Sequence, residues 1–378
     1  MLPPRILRRL LLVPLVIVIA GALVVLAPAL AALSVVFAIV RRRFGRMRAL
    51  RIVYIALIWS LGEAAALAVF LCLWIISGFG GRLETEPYRT RHYGVMRWFL
   101  DLIYNAAQRA CGLHVEVESP AADGMDSAGV PYSAGAADSA GAADSAEAVE
   151  PEARPVIVLS RHAGPGDSLL LVRYLLAVRG RRPRVVMKAT LQLDPSLDIV
   201  ANRLPNAFIK RHKAGPRSQT DQVRRLARTL DGDGALLLFP EGANWTPLRW
   251  RRAIERLRRD GHPALAERAA AMPNVLPPRP GGALTAIASC PAADVIFVAH
   301  TGTDRLVSVR DIWRCLSADI SIRARWWRVP ACDVPRAADH EAQVRWLYDW
   351  WQRIDAWITS QHMDDAPDSS PDAPAVPR

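Results

Sequence analysis

Hydrophobic and polar positions divide this chain into an apolar N-terminal part and an alternating body. Two long apolar stretches come first: Leu10 to Val40 has no charged residue, and Ile52 to Phe79 contains only Glu63. Both exceed the roughly 20 residues that cross a bilayer as a helix, and both are too long for a cleaved signal peptide. We therefore expect residues 1–87 to form a membrane-attachment region with two hydrophobic helices.

Arginine clusters flank both apolar stretches and leave the path through the membrane open. The positive-inside tendency would place all three flanks in the cytoplasm, which two simple spans cannot do. Either the middle loop departs from the tendency, or a stretch enters and leaves on the same face. The sequence Ala27-Pro28-Ala29 offers a break for such a re-entrant turn. We expect attachment to the cell membrane, with the catalytic body on its cytoplasmic face.

The body, residues 88–362, alternates short apolar runs with amphipathic segments. Strands are predicted at Leu113–Glu118, Val156–Leu159, Arg184–Lys188, Asn206–Lys210, Ala235–Phe239, Val295–Ala299 and Ile320–Arg328. Helices are predicted at residues 88–111, Ser168–Val178, Ser218–Leu230, Leu248–Asp260, Ala283–Ser289 and His340–Ile358. Strands separated by helices indicate βαβ units. The expected fold class is α/β, a mostly parallel sheet flanked by helices and preceded by the N-terminal hydrophobic membrane helices.

Two segments lack the apolar residues that a packed core needs. Residues 119–154 consist mainly of Ala, Gly, Ser, Asp and Glu, with an imperfect repeat from Ser133 to Asp144. Such a composition predicts disorder. The predicted strands on both sides favour an insertion within one domain, with a linker between domains as the alternative. Residues 363–378, rich in Pro, Asp and Ser, are expected to be a disordered tail.

The charge of the chain indicates an anionic partner. The formal net charge is +12, and nearly all basic residues are arginine. A strongly basic body suits phosphate ligands or an anionic membrane surface. We find no recognised nucleic-acid module and expect no nucleic acid partner. The five cysteines are scattered without a C-x-x-C pair, which indicates a reducing compartment and no metal site.

A general-base pair is predicted at the turn after the buried strand that begins at Val156. His162 and Asp167 stand five residues apart, with two glycines and a proline between them, a composition that favours a tight turn. The carboxylate can accept from one imidazole nitrogen while the other faces a substrate hydroxyl. On its own, the pair is more typical of an ordinary loop in which the Asp caps a helix. Backbone N–H groups around Gly164 to Ser168 are the candidate oxyanion donors.

Two further motifs follow strands later in the chain. The sequence Phe208-Ile209-Lys210-Arg211 ends one strand in a cationic cluster, and Arg211 can bind a phosphate through two parallel hydrogen bonds. In Phe239-Pro240-Glu241-Gly242, Pro240 stops a strand and Gly242 lets the backbone turn, so that the Glu241 carboxylate is expected to be exposed. Taken singly, these motifs are also typical of a solvated basic face and an ordinary proline turn.

In this order, the three motifs resemble those of the glycerophospholipid acyltransferase family, which includes the 1-acylglycerol-3-phosphate acyltransferases. That family carries H-x4-D, then G-x-x-F-I-x-R, then F-P-E-G, and a later apolar-proline motif. Here the first and third are intact, the second has Pro205 in place of its leading glycine, and the last corresponds to Val275-Leu276-Pro277-Pro278-Arg279. The resemblance covers roughly residues 155–300.

The resemblance implies a membrane-bound enzyme of phospholipid biosynthesis. Such an enzyme transfers a fatty acyl group from acyl-CoA or acyl carrier protein to the free hydroxyl of 1-acylglycerol-3-phosphate, giving phosphatidic acid. The implied catalytic residues are His162 and Asp167, and the implied substrate-binding residues are Phe208, Ile209, Arg211, Pro240, Glu241 and Gly242. The expected partners are the phospholipid membrane, a lysophospholipid acceptor and an acyl thioester donor. No metal or redox cofactor is indicated.

One departure from the family pattern leaves the acceptor open. The family motif often continues as E-G-T-R, whereas Ala243 and Asn244 stand here in place of Thr and Arg. Either Arg211 carries more of the phosphate binding, or Arg249 and Arg251 substitute. The alternative function is acyl transfer to another lysophospholipid or to a glycolipid. A further alternative is a non-catalytic protein that binds anionic lipids.

Overall fold

The sheet at the centre of the protein carries the candidate motifs on its loops. The computed structural model describes residues 3–40, 48–118, 154–164, 166–209, 216–305, 320–335 and 338–364. The strands are β1 (His114–Glu118), β2 (Val156–Ser160), β3 (Arg182–Lys188), β4 (Ala207–Ile209), β5 (Gly234–Leu238), β6 (Asp294–His300) and β7 (Ser321–Val329). Within these described ranges the seven strands form one sheet in the order β1-β7-β6-β2-β5-β3-β4.

Strand direction makes this sheet mostly parallel. The five strands from β2 to β6 all run the same way. Strand β7 is antiparallel to β6, and β1 is parallel to β7, so the two strands at one edge run in the opposite direction. The central strands β2 and β5 are buried at every position, as expected where helices cover both faces of a parallel sheet. The predicted fold class is confirmed.

Helices cover both faces of the sheet. They are α1 (Arg5–Val40), α2 (Arg48–Ile76), α3 (Glu86–Cys111), α4 (Asp167–Arg173), α5 (Pro195–Arg203), α6 (Pro216–Arg228), α7 (Pro247–Arg259), α8 (Pro263–Ala270), α9 (Pro280–Ser289) and α10 (His340–Asp364). On one face, Leu100 and Leu171 pack with Val158. On the other, Trp351 packs with Ile157. Neighbouring residues of β2 therefore point into the cores on opposite faces of the sheet. Each large apolar side chain that is buried there contributes about 1.5–3 kcal/mol to the stability of the fold.

The predicted insertion lies between two strands of this one sheet. Strand β1 ends at Glu118 on the edge of the sheet, and β2 begins at Val156 in its centre. Residues 119–153 and 365–378 lie outside the described residues, and so does the disorder predicted for them. Helix α10 continues past the predicted helix end at Ile358 and includes the first two residues of the predicted tail.

The two N-terminal helices form a hairpin. Both are long and apolar enough to cross a membrane. In the apolar stretch of each helix, 6 % of the residues of α1 and 28 % of those of α2 are buried. Helix α1 continues through Pro14 and Pro28. The re-entrant turn considered for Ala27-Pro28-Ala29 is therefore not formed within the described residues 3–40. The length, apolarity and exposure of the two helices suggest membrane association.

Ion pairs hold the start of this hairpin on α5. Nη2 of the buried Arg8 lies 2.5 Å from Oδ1 of Asp198, and Nε of Arg9 lies 2.6 Å from its Oδ2. Helix α2 contacts the same helix, because the Ser196 N–H donates to Oε1 of Glu63 at 3.3 Å. The beginning of α1 and the middle of α2 are thus joined to one short helix of the domain.

Replacing Asp198 with alanine is expected to loosen this junction. The change leaves the Arg8 guanidinium buried without its counter-ion, so the free energy of unfolding should fall by about 3 kcal/mol. Chemical denaturation in detergent measures this change, and hydrogen exchange at residues 5–9 should become faster. Asp221→Ala, which breaks an exposed ion pair with Arg224, is the control and should cost at most about 1 kcal/mol. Equal effects of the two substitutions would contradict the prediction.

Candidate active site

The loops after β2 and β5 meet at one edge of the sheet. These two strands pair in parallel, with Leu159 opposite Leu238. Their following loops therefore lie together at the carboxyl edge, where open α/β sheets bind ligands. The first loop carries His162, and the second carries Glu241. The Trp245 N–H donates to the His162 carbonyl at 2.8 Å, which ties the two loops together.

The structure brings His162 and Asp167 into direct contact. Nδ1 of His162 lies 2.9 Å from Oδ2 of Asp167. The residue before Asp167, Gly166, has φ +98°, a left-handed conformation that turns the chain into α4. Because an ionised carboxylate only accepts, Nδ1 carries the proton and Nε2 is the nitrogen left to act as a base. The His162 side chain is 15 % exposed, so the imidazole is open to a substrate.

Hydrogen bonds keep the Asp167 carboxylate charged although it is buried. Oδ2 accepts from the N–H groups of Ala163 at 3.0 Å and Gly164 at 3.3 Å, and Oδ1 accepts from the Ser168 N–H at 2.6 Å. Burial alone would raise the pKa of Asp167. The His162 hydrogen bond, the nearby histidines and the Gly164 N–H outweigh it, so the pKa lies below its usual range. The carboxylate can therefore stabilise a protonated imidazole.

These hydrogen bonds also bear on the candidate oxyanion donors. The Gly164 and Ser168 N–H groups, which the sequence suggested for an oxyanion, both donate to Asp167. The turn between His162 and α4 therefore uses these donors to position the carboxylate. Two of the donors predicted for an oxyanion, those of Gly164 and Ser168, already have an acceptor in this arrangement.

Glu241 lies beneath the pair, and its carboxylate is buried. The sequence led us to expect an exposed carboxylate at this turn, but the residue is only 1 % exposed. Oε1 accepts from the His162 N–H at 3.2 Å, and Oε2 accepts from the Leu276 N–H at 3.3 Å. Burial raises the pKa of Glu241 to about 8, against the opposing charge of Arg161. Of the two roles considered from the sequence, this geometry fits orientation of the site.

Sequence reasoning missed Arg161 and His300, which complete the buried network. The Arg161 guanidinium donates to the His300 carbonyl at 2.5 Å, to the Asn274 carbonyl at 3.0 Å and to Oδ2 of Asp304 at 3.3 Å. Nε2 of His300 lies 3.1 Å from the Arg161 carbonyl and 4.0 Å from Oδ2 of Asp167. A charged residue directly after a fully buried strand was the available signal for Arg161.

The F-P-E-G turn forms one wall of the site. The Phe239 ring lies 4.5 Å from the His162 ring, measured between centroids. Pro240 is buried, and its carbonyl accepts from the Arg279 N–H at 2.9 Å. Gly242 has φ +69°, a conformation that favours glycine. The turn is thus held by His162 on one side and by the apolar-proline segment on the other.

The F-I-x-R motif lies farther along the same sheet. Phe208 and Ile209 are in β4, paired with Met187 and Lys188 of β3, and both are half-buried. Because β3 separates β4 from β5, these residues stand two strands away from the F-P-E-G turn. Arg211 lies outside the described residues. Its role at the site stays a prediction from the sequence.

An apolar cavity of about 190 Å³ lies against the His162–Asp167 turn. Helices α2 and α3 contribute Trp59 and Phe99 to its lining, and α4 contributes Leu170. Gly166, directly before Asp167, also lines it. The site therefore combines a partly exposed histidine with an apolar space next to the same turn.

Fold and site together define an α/β domain with a hydrogen-bonded histidine–aspartate pair at the carboxyl edge of a mostly parallel sheet. Residues 144–290 match the family model described as Acyltransferase. This match includes His162, Asp167 and Glu241, and it supports an acyltransferase domain and a general acyltransferase activity. Comparison with curated proteins gives no match, and comparison with solved structures gives none either.

Proposed function

We propose that this protein transfers a fatty acyl group from acyl-CoA or acyl carrier protein to the free hydroxyl of 1-acylglycerol-3-phosphate, giving phosphatidic acid. The observation that carries the proposal is the 2.9 Å hydrogen bond between His162 and Asp167, within the residues that match the Acyltransferase family. A solvent-accessible imidazole whose other nitrogen donates to a charged carboxylate is the arrangement that activates a hydroxyl.

The proposed reaction is a direct transfer in which His162 handles the proton. Nε2 removes the acceptor hydroxyl proton while the hydroxyl oxygen attacks the thioester carbonyl and forms the new C–O bond. The C–S bond then breaks, and the thiolate takes the proton back from the imidazolium. Asp167 stabilises the imidazolium between these steps. Proton transfer of this kind contributes about 10²–10⁴-fold in rate, and the reaction needs no metal or redox cofactor.

The apolar cavity supports an acyl chain as part of the substrate. Its lining of aromatic and aliphatic side chains stands next to Gly166, so a chain bound there begins close to the reacting turn. A methylene chain gains about 0.8 kcal/mol for each CH₂ that it buries. Of the two substrates, the thioester donor is the one whose carbonyl must lie at this turn.

The proposal also says which residues bind the acceptor's phosphate and which hold the enzyme at the membrane. Arg211, with Phe208 and Ile209 before it, is proposed to bind the phosphate, on the resemblance of this motif to the family. The two apolar helices are proposed to hold the enzyme on the cytoplasmic face of the cell membrane, where acceptor and product reside. This placement makes the reaction a step of phospholipid biosynthesis.

The substitution of Ala243 and Asn244 for Thr and Arg favours a second candidate. Without the family's cation at residue 244, a lysophospholipid with another headgroup, or a glycolipid, becomes an alternative acceptor. The reaction at His162 would be the same in either case. Only the group that binds the acceptor's head would differ.

Mass spectrometry of the products tests the function directly. Purified protein in detergent is given lysophosphatidic acid, other lysophospholipids and a glycolipid, with acyl-CoA and acyl carrier protein donors. Phosphatidic acid is expected as the main product. A diacyl product with a different headgroup would support the alternative acceptor, and lipid binding without any acylated product would indicate a non-catalytic protein.

A further inference from the structure

The loop after Glu241 lacks the cation that the family pattern places there. Ala243 and Asn244 carry no charge, whereas an arginine often stands at the second of these positions in the family. If the acceptor carries a phosphate, another positive group has to serve this side of the site. The described residues around Gly242 show where such a group lies.

The Arg279 guanidinium lies directly against Gly242. A Cβ atom placed on Gly242 would come within 3.3 Å of Nη1, 3.4 Å of Cζ and 3.5 Å of Nε of Arg279. These three similar distances place the guanidinium alongside the glycine, in space that a side chain at residue 242 would enter. Arg279 is exposed, so this charge lies at the solvent-facing rim of the turn.

The segment that carries Arg279 is anchored on the catalytic turn. Val275 to Pro278 are buried, and the Leu276 N–H donates to Oε2 of Glu241 at 3.3 Å. The Arg279 N–H donates to the Pro240 carbonyl at 2.9 Å. The other carboxylate oxygen of Glu241 accepts from the His162 N–H. The position of Arg279 is therefore set by the same residues that set the backbone of His162.

The cations suggested from the sequence are placed differently. Arg249 is on the first turn of α7, and its Nη1 donates to the Asn244 carbonyl at 3.0 Å. Arg251 is exposed on the same helix. The Arg279 guanidinium, by contrast, lies beside the residue that directly follows Glu241.

We propose that Arg279 is an additional ligand of the acceptor's phosphate and determines specificity for phosphorylated lysolipids, in place of the family's arginine after the F-P-E-G turn. A guanidinium offers two parallel N–H donors to a phosphate. The missing side chain at Gly242 leaves room for the guanidinium beside the turn. This inference rests on the proposed function, because it assigns the headgroup site of the same reaction.

The test compares Arg279→Ala with the wild-type protein on charged and uncharged acceptors. With lysophosphatidic acid, the acceptor KM should rise about 10- to 100-fold, as for loss of a charged hydrogen bond. The KM for the donor should stay the same, and so should the rate with monoacylglycerol, which has no phosphate. Adding Asn244→Arg to the Arg279→Ala variant should restore much of the acceptor affinity. Arg256→Ala, an exposed arginine of α7, controls for the loss of one positive charge.

Three outcomes overturn the inference: an unchanged acceptor KM in Arg279→Ala, a rise in the donor KM instead, or a rise that only Arg249→Ala produces. A wild-type protein that acylates no lysolipid would refute the proposed function but not decide this assignment. Binding of a short-chain lysophosphatidic acid, below its micelle concentration, then decides it. Equal Kd values for wild type and Arg279→Ala would exclude Arg279 as the phosphate ligand.

Discussion

Replacing His162 with alanine is expected to reduce kcat for acyl transfer by about 10²–10⁴-fold, the contribution of a positioned general base. Nδ1 of His162 is held by Asp167, so Nε2 is the base in this arrangement. His162 lies on a loop of the domain, outside α1 and α2, so its removal should leave the membrane association intact. Product formation from several lysolipids measures the loss.

Two matched substitutions sharpen this experiment. Asp167→Asn keeps one accepting oxygen for part of the backbone donors of the turn but removes the charge that stabilises the imidazolium, so kcat should also fall. His114→Ala, at an exposed position in β1, should leave kcat unchanged. If the His162→Ala variant kept near-normal activity with every acceptor, direct base catalysis by this residue would be wrong.

Glu241→Ala is expected to have the largest effect on stability near the site and to abolish activity as well. The substitution leaves two N–H groups, of His162 and Leu276, without their acceptor in a buried place. Each buried donor that loses its partner costs about 1–3 kcal/mol, so the free energy of unfolding should fall by about 3 kcal/mol. The His162 backbone also loses a contact that positions it. Chemical denaturation and the product assay measure the two effects.

The pH dependence of stability separates the charge of Glu241 from its shape. Its pKa is about 8 in the folded protein, against an ordinary value of 4.5. Between these values the folded state holds a proton that the unfolded state has lost. The Glu241 contribution to the free energy of unfolding therefore falls as the pH rises through this range, by up to about 1.4 kcal/mol per pH unit.

Glu241→Gln is the matched variant for this measurement, because its amide does not titrate. The unfolding free energy of the wild type minus that of Glu241→Gln should fall from pH 5 to pH 8. The two proteins share His162, His300 and Arg161, so titration of these neighbours largely cancels. A difference that stays constant across this range would show that Glu241 does not hold a proton in the folded protein.

The parts of the fold that could be predicted from the sequence are those whose signal lies within a few residues. Continuous apolar runs predicted β2 and β5, because strands buried on both faces need apolar side chains at every position. The His162–Asp167 contact was predictable for the same reason: both residues belong to one short turn. The order of strand and helix then predicted a mostly parallel sheet.

The missed features depend on short elements or on distant parts of the chain. Helices α5 and α8 are too short to show a clear helical period, although Asp194 caps α5 ahead of Pro195 at its start. The burial of Glu241 depends on the Leu276 N–H, which a later segment brings beneath the turn. The reversed direction of β7 is set by its pairing with β6 and leaves no mark on its own sequence.

The register of β1 has a consequence for the segment that follows it. Glu118 pairs with Arg325 of β7, and Arg325 pairs with Ala299 near the end of β6, so β1 ends level with the carboxyl end of β2, close to the edge with His162. The start of β2 at Val156 lies three strand spacings across the sheet, roughly 15 Å, and roughly 16 Å back along the strands, a gap of roughly 22 Å that about seven extended residues bridge. The chain places residues 119–153 across this gap. The geometry of the sheet therefore sets only a minimum length for this connection, and most of its residues are free to vary in number between related chains.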